Sequence, residues 1–442
     1  MRFSKLTTSV LLAFGIQAQA QSADLLEIYH AAQGQDAVFA SARAARQAGQ
    51  EKLTQGRATI LPSVNLTASS TYSDNQIQFP GASRQMNYTS TGAGITLVQP
   101  LYRQQNWLAY SESELQVAIT DAQFHLTEQD LIVRVAQAYF DVLIAQDSVQ
   151  LAEAQKKSIT EQLEQARRNF EVGTATITDT YEAQARFDLT DAQLIAAQSN
   201  LEIRHRALQQ ITNSNVRELK PIGAVLKLDS PQPADVSKWV ADAQQHNLQV
   251  MMAQAGAELA DKEVTRNRGG HYPTIDLVAN VSQNSANGGT FNGAGYGPAD
   301  TTSKSVGVQL NMPLFQGGAT QSKWREAEAN RDKAQQDLEN AKRSVAVQVH
   351  QAYLGVVNGI AQVQALQQAL KSSESLLHAS ELGHKVGVRT SLDVLNAQQQ
   401  LFSTRRDLYQ AQYSYLVNRL RLKAAAGNLD ESDLERVNQA LR

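Results

Sequence analysis

The chain of 442 residues contains no cysteine, which excludes disulfide bonds, cysteine metal sites and a lipid anchor on an N-terminal cysteine. Proline is scarce, with nine residues, and aromatic side chains make up only 6% of the chain. Such a composition is typical of long helices that pack closely through small side chains. The formal net charge is −3, and no basic cluster suggests binding to nucleic acid.

Long apolar segments are also missing. The longest one runs from Leu6 to Ile16, about half of the ~20 residues that a transmembrane helix needs. It follows Arg2 and Lys5 and precedes the small-residue pattern Ala18-Gln19-Ala20, an arrangement typical of a secretory signal peptide. We therefore predict a signal peptide over residues 1–20 and no transmembrane helix in the remainder.

Catalytic motifs are absent as well. The eight histidines are scattered, and no G-x-S-x-G, H-E-x-x-H or P-loop pattern occurs. We therefore expect no catalytic residue, no metal site and no cofactor.

The sequence does contain one pattern written twice. Residues 61–66 (Leu-Pro-Ser-Val-Asn-Leu) resemble residues 272–277 (Tyr-Pro-Thr-Ile-Asp-Leu), 211 positions later. Residues 172–174 (Val-Gly-Thr) recur at 386–388 (Val-Gly-Val), 214 positions later. Matches in constant order predict two homologous halves of roughly 210 residues each.

Each half carries the apolar stripe of a coiled coil, with spacings that alternate between four and three residues. Alone, this stripe fits an ordinary coiled-coil protein equally well. The residues are Leu131, Val135, Ala138, Val142, Ala145, Val149 and Ala152 in the first half, and Val345, Val349, Ala352, Val356, Gly359, Val363 and Leu366 in the second.

Between the helical parts, apolar and polar residues alternate with a period of two, which predicts one hairpin per half with strands about ten residues long. Such alternation matches membrane β-barrel strands, which are apolar toward lipid and polar toward the lumen. Proline lacks the N–H that pairs strands, so it suits strand boundaries. The predicted boundaries are Pro62 and Pro273 at strand starts, and Pro100 and Pro313 at strand ends.

Four strands cannot close a membrane barrel, because the smallest such barrels have about eight. An open edge in lipid would leave backbone groups without partners. The geometry therefore requires several copies, and two copies with eight strands or three copies with twelve both satisfy it.

The helices are too long for a globular protein. From Tyr102 to Glu171 no proline interrupts the chain, and at 1.5 Å per residue this segment is roughly 105 Å long. We expect Asp179 to Thr212 and then Ala234 to Asn267 to run back beside it. The second half would run out from Ala319 to His384 and back from Ser391 to Ala425, continued by an N-terminal helix over 22–56.

The two turns between these helices resemble the periplasmic tips of TolC-like outer-membrane factors. The resembling segments are 168–179 (RNFEVGTATITD) and 384–398 (HKVGVRTSLDVLNAQ). Tyr272-Pro273 and the segment 313–318 (PLFQGG) are similar to that family's strand boundaries. The resemblance implies an α+β membrane protein, a trimer with a 12-stranded β-barrel, a 12-helix tunnel and a mixed equatorial belt.

The same resemblance implies a Gram-negative outer-membrane duct with a long periplasmic part. Its partners would be a periplasmic adaptor, an inner-membrane transporter and outer-membrane lipid, and its cargo a secreted protein (type I secretion) or small toxic compounds. The predicted segments are 1–20 signal peptide, 21–60 N-terminal tunnel helix, 61–100 first β-hairpin, 101–212 first helical hairpin, 213–233 equatorial segment, 234–270 return helix, 271–313 second β-hairpin, 314–426 second helical hairpin and 427–442 C-terminal equatorial segment.

Local chemistry already gives the tip residues structural roles. Gly173 and Gly387 fit left-handed helix caps, and the pattern Thr-x-x-Asp at 176–179 and 390–393 fits a capping box. The resemblance adds that both glycine turns meet the adaptor or transporter.

The resemblance also implies that Asp393 and Asn396 line the entrance, where a ring of Asp393 carboxylates would attract cations. Asn396 replaces an acidic residue of many relatives, which weakens that ring. His384 stands where a tyrosine is common, so the tyrosine's link is not expected here, and a link made by the histidine instead would be pH-sensitive. The implied gating links are Thr178, Asp179, His384 and Arg389.

A periplasmic coiled-coil structural or adaptor protein without a pore is the alternative. The two alternating hairpins discriminate between the two interpretations, because such a protein would not need them.

Overall fold

The computed structural model describes residues 22–223, 226–291 and 294–441. The predicted signal peptide at 1–20 lies outside the described residues. In the part of the chain that is described, every helix falls short of the length or the apolar character needed to cross a membrane.

The two halves have the same order of elements, in agreement with the repeat. The first contains α1 (Leu25–Gln35), α2 (Ala37–Ala58), β1 (Ser63–Phe79), β2 (Ala82–Tyr102), α3 (Gln104–Glu171) and α4 (Ile177–Thr212). The second contains α5 (Val236–His246), α6 (Leu248–Arg268), β3 (Thr274–Ala286), β4 (Gly289–Phe291), β5 (Ala294–Tyr296), β6 (Ala299–Asn311), α7 (Ala319–Lys385) and α8 (Ser391–Ala426), followed by α9 (Glu431–Asn438).

Two helices that were predicted as continuous are each broken once. Asp36 separates α1 from α2 and accepts a hydrogen bond from the Phe39 amide at 2.7 Å. Asn247 separates α5 from α6 and accepts one from the Gln249 amide at 2.9 Å. Both residues have extended backbones, because an Asp or Asn side chain caps the following helix when the residue itself has a non-helical backbone. The predictions of single helices over 22–56 and 234–267 were therefore wrong.

Four long strands form one antiparallel sheet in the order β1-β2-β3-β6. They contain 17, 21, 13 and 13 residues, so the predicted length of about ten was too short. The apolar alternation ends at Tyr72, yet pairing continues through polar residues such as Asn75 opposite Met86. Turn residues Pro80 and Gly81 join β1 to β2, and Gly81 has the positive φ of +90° that favours glycine.

Pro100 does not end its strand. It pairs with Asp276, and the register shifts between Pro100 and Tyr102, where β2 ends. A proline at such an irregularity removes no regular ladder bond, so the strand passes it. Pro62 precedes β1, Pro273 precedes β3, and Pro313 follows β6.

One face of the sheet carries exposed aliphatic side chains. Val306, Val308 and Leu310 on β6 are 75%, 65% and 64% exposed, and Leu66 on β1 is 74% exposed. Within the described residues, β1 and β6 each pair on one side only. The sheet therefore presents an apolar face and two open edges.

The helices form a wall whose neighbours follow the strand order. Helix α3 packs against α2 and α6 near the sheet, and against α4 and α8 farther away, while α7 lies on the far side of α6 and α8. The end of α8 meets the start of α6, where the Asn247 side chain donates to the Ala425 carbonyl at 2.9 Å. The start of α2 lies beside the end of α4, with Val38 and Ile211 lining one cavity.

This stacking corrects the predicted return path. Helix α4 is continued by α2 and helix α8 by α6, rather than α4 by α6 and α8 by the N-terminal helix. In each half, the return helix is therefore continued by a helix from the start of the same half.

The predicted equatorial segments are held against the middle of the wall by buried tyrosines. The Tyr139 hydroxyl donates to the Lys220 carbonyl at 2.8 Å. The Tyr415 hydroxyl accepts from the Asp229 amide at 2.8 Å and donates to the Asp229 carbonyl at 3.0 Å. The C-terminal segment contains a helix, α9, and Leu441 pairs with Ile222.

Candidate functional site at the helical tips

The two tips are built by the same backbone turn. Gly173 and Gly387 have φ values of +78° and +80°, a conformation in which a Cβ would be strained. The turns close when the Thr174 amide donates to the Asn169 carbonyl at 2.8 Å and the Val388 amide donates to Gly383 at 2.9 Å. These bonds satisfy carbonyls that the ends of α3 and α7 would leave unpaired.

Each tip then starts its return helix with a reciprocal capping box. In the second tip the Asp393 amide donates to the Thr390 hydroxyl at 3.2 Å, and the Asp393 carboxylate accepts from the Thr390 amide at 2.9 Å. Thr176 and Asp179 make the same two bonds in the first tip, at 3.2 and 2.9 Å. The Thr-x-x-Asp pattern is therefore a capping box in both tips.

The Asp393 carboxylate is held in its charged form. Hydrogen bonds from the Thr390 amide and hydroxyl, together with the charge of Arg389, lower the pKa of Asp393. Its side chain remains 37% exposed, and its distance to the Arg389 guanidinium is 3.7 Å. Because 3.7 Å is too long for a hydrogen bond, both groups keep capacity for other partners.

The second tip differs from the first in carrying Arg389, where the repeat has Ala175. Gly383 makes room for it, because a Cβ on Gly383 would lie 2.7 Å from the Arg389 Cγ. The structure thus brings Arg389 and Asp393 together. Asp179 is bonded within its own tip, beside an exposed Thr178.

His384 lies in the last turn of α7 and is half-buried. Its carbonyl accepts the Gly387 amide at 3.1 Å. The backbone of His384 is therefore part of the turn itself.

Asn396 has a partner that sequence reasoning missed. Arg186 on α4 donates to the Asn396 side-chain oxygen at 3.1 Å and to the Gln399 side-chain oxygen at 2.6 Å. The repeat counterpart of Arg186 is Gln400, so the repeat gave no signal for it. Only the fold brings α4 and α8 within reach of one side chain.

The surface of the tips is apolar around this polar cluster. Val172, Val386 and Val388 are 72%, 66% and 76% exposed. Exposed aliphatic side chains grouped at the end of a helical hairpin are typical of a protein contact.

Comparisons with known proteins agree with this geometry. A family model described as "Outer membrane efflux protein" matches residues 28–214 and 239–428, one range in each half. Outer membrane protein TolC of Escherichia coli (strain K12) is 33% identical over 97% of this chain and 87% of its own length. Alkaline protease secretion protein AprF of Pseudomonas aeruginosa is 33% identical over 93% of this chain and 86% of its own length.

The fold is also found in a solved structure. The Campylobacter jejuni CmeC outer membrane channel superposes with a TM-score of 0.79 over 100% of this chain and 98% of that chain, at 14% identity. This likeness confirms the predicted α+β fold with four long strands per chain.

Proposed function

Because the chain belongs to the outer membrane efflux protein family and is therefore an outer-membrane export channel, we propose that it forms a trimeric exit duct whose entrance is guarded by Asp393. The family membership confirms the resemblance, the outer-membrane location and the export function predicted from the tip motifs. The family consists of transport proteins rather than enzymes. The alternative of a coiled-coil protein without a pore has no support.

The open edges of the sheet support assembly of several copies. In lipid, the unpaired backbone groups of β1 and β6 would each cost several kcal/mol, so neighbouring copies must pair them. The wall has two open sides as well, where Ile195 and Ile203 on α4 are 59% and 64% exposed, and Val347 and Leu354 on α7 are 55% and 52% exposed. Three copies would supply 12 strands and a 12-helix tunnel, as the resemblance to TolC-like outer-membrane factors implies.

The second tip supports an entrance site. Threefold symmetry would place three charged, partly exposed Asp393 side chains around one axis, with Asn396 one helical turn deeper, and such a ring attracts cations. Arg389 retains free donors, so we propose that it gates the entrance together with Thr178, Asp179 and His384 by bonds to the neighbouring copy.

The apolar tips support docking of partner proteins. We propose that the turns at Gly173 and Gly387 meet a periplasmic adaptor and the inner-membrane transporter behind it. The name of AprF refers to protease secretion, which supports a secreted protein as one cargo beside small toxic compounds.

The test is single-channel conductance of the purified protein in planar bilayers, with multivalent cations added on the periplasmic side. Asp393→Ala is compared with Asp430→Ala, because Asp430 also belongs to a capping box, as its N-cap residue at the start of α9, beyond the end of α8 that lies opposite the tip. We expect wild type and Asp430→Ala to be blocked and Asp393→Ala to remain conducting. If multivalent cations blocked all three proteins equally, Asp393 would not lie at the entrance. A folded wild-type protein that forms no pore would refute the proposed duct.

A further inference from the structure

Arg186 joins the two helical hairpins of one chain close to the tips. Arg186 belongs to α4, and its guanidinium donates to the side-chain oxygens of two residues of α8, Asn396 at 3.1 Å and Gln399 at 2.6 Å. We propose that this two-point bridge holds the α3/α4 hairpin against the α7/α8 hairpin, keeps the entrance narrow and sets its charge. The proposal rests on the proposed function, because it concerns the entrance of that duct.

The contact beneath the bridge is well packed. Ile159, Thr190 and Leu395 are at most 5% exposed, and they line a gap of only about 10 Å³. That volume is about the minimum for one water molecule. Separation of α4 from α8 would therefore admit water to a contact in which Ile159 and Leu395 are now buried.

A second polar bond crosses between the same hairpins. The Gln398 side chain is 7% exposed and donates to the Ser158 hydroxyl on α3 at 2.7 Å. A neutral bond of this kind contributes less than a hydrogen bond from a charged donor. Arg186 thus adds two bonds from a charged donor at the exposed edge of the contact to one neutral, partly buried bond beneath them.

The bridge also places a positive charge beside the proposed acidic ring. Both acceptors of Arg186 are neutral amide oxygens, so they leave its charge uncompensated. Asn396 follows Asp393 by three residues, and residues at this spacing share one helix face. The guanidinium therefore opposes the attraction of cations by Asp393.

Three substitutions separate the bridge from the charge. Arg186→Gln removes both, while Arg186→Lys keeps the charge but lacks the planar fork that reaches two oxygens at once. Arg167→Gln is the matched control, because Arg167 donates to Gln184 at 2.8 Å within the α3/α4 hairpin. Each variant is measured in planar bilayers for single-channel conductance and for reversal potential across a KCl gradient.

We expect Arg186→Gln to raise the conductance severalfold and to shift the reversal potential toward cation selectivity. Arg186→Lys should raise the conductance with wild-type selectivity, and Arg167→Gln should change neither. Wild-type conductance in both Arg186 variants, or equal effects of Arg186→Gln and Arg167→Gln, would overturn the proposal. A wild type that forms no channel would instead refute the proposed function.

Discussion

Replacing Asp36 should weaken the middle of the tunnel wall, because this one carboxylate makes two kinds of bond. It caps α2 through the Phe39 amide and accepts from both terminal nitrogens of Arg134 at 3.1 and 3.2 Å. Asp36 is only 4% exposed. Arg134 also pairs with Asp130 at 2.7 Å, and Asp130 is 56% exposed.

The expected losses of unfolding free energy follow from these bonds. Losing a helix N-cap costs about 1 kcal/mol, and losing hydrogen bonds to a charged group costs about 2 kcal/mol. Asp36→Ala should therefore cost about 3 kcal/mol. Asp36→Asn keeps the cap and should cost about 2 kcal/mol, whereas Asp130→Asn removes an exposed partner of the same arginine and should cost less than about 1 kcal/mol.

The assay is thermal unfolding in detergent, followed by circular dichroism at one scan rate and one protein concentration, because the melting temperature of a protein that unfolds irreversibly depends on the scan rate. Asp36→Ala should unfold first, then Asp36→Asn, then Asp130→Asn. Burial raises the pKa of Asp36, but bonds from Arg134 and the Phe39 amide outweigh it and leave the pKa lowered. The stabilisation is therefore present above the ordinary pKa of 3.8 and is lost as the pH falls further. Equal unfolding temperatures for Asp36→Asn and Asp130→Asn would refute this reasoning.

Two further changes test the packing of the wall. Tyr413→Phe removes the hydroxyl that donates to the Asp147 carboxylate at 2.7 Å. Burial raises the pKa of Asp147 and this bond lowers it. The variant should therefore lose about 1–3 kcal/mol of unfolding free energy at neutral pH and much less at acidic pH, where Asp147 is protonated, and thermal unfolding at both pH values tests this. Gly427→Ala would place a Cβ 2.3 Å from the His246 carbonyl oxygen at a φ of +82°. Gly387 has a similar φ of +80° but open space around it, so Gly387→Ala should cost only about 1–2 kcal/mol and Gly427→Ala more. Similar melting temperatures for the two variants would contradict the clash at Gly427.

Features with a local cause could be predicted from the sequence. The caps at Gly173 and Gly387 and the capping boxes of Asp179 and Asp393 involve residues within one turn, so the pattern contains the whole interaction. The strand boundaries failed at Pro100, because pairing with Asp276 comes from the other half of the chain.

Features that depend on which elements become neighbours could not be predicted in the same way. Chain order suggested that α4 continues into α6, but end-to-end packing at Asn247 instead joins α6 to α8. For the same reason Arg186 resembled an ordinary charged residue on a helix surface. Its importance depends on two amide oxygens that lie more than 200 positions away in the sequence.

The order of the helices in the wall indicates how each chain would contact the next copy. Helix α3 meets the α8 of the second half, so we expect α7, its counterpart, to meet the α4 of a neighbouring copy. Phe140 is buried against Tyr413 with ring centroids 5.6 Å apart, while its counterpart Leu354 is 52% exposed in the single chain. A ring of such chains would then alternate two related junctions, one inside each chain and one between chains, and separate substitutions at Phe140 and Leu354 would distinguish their contributions.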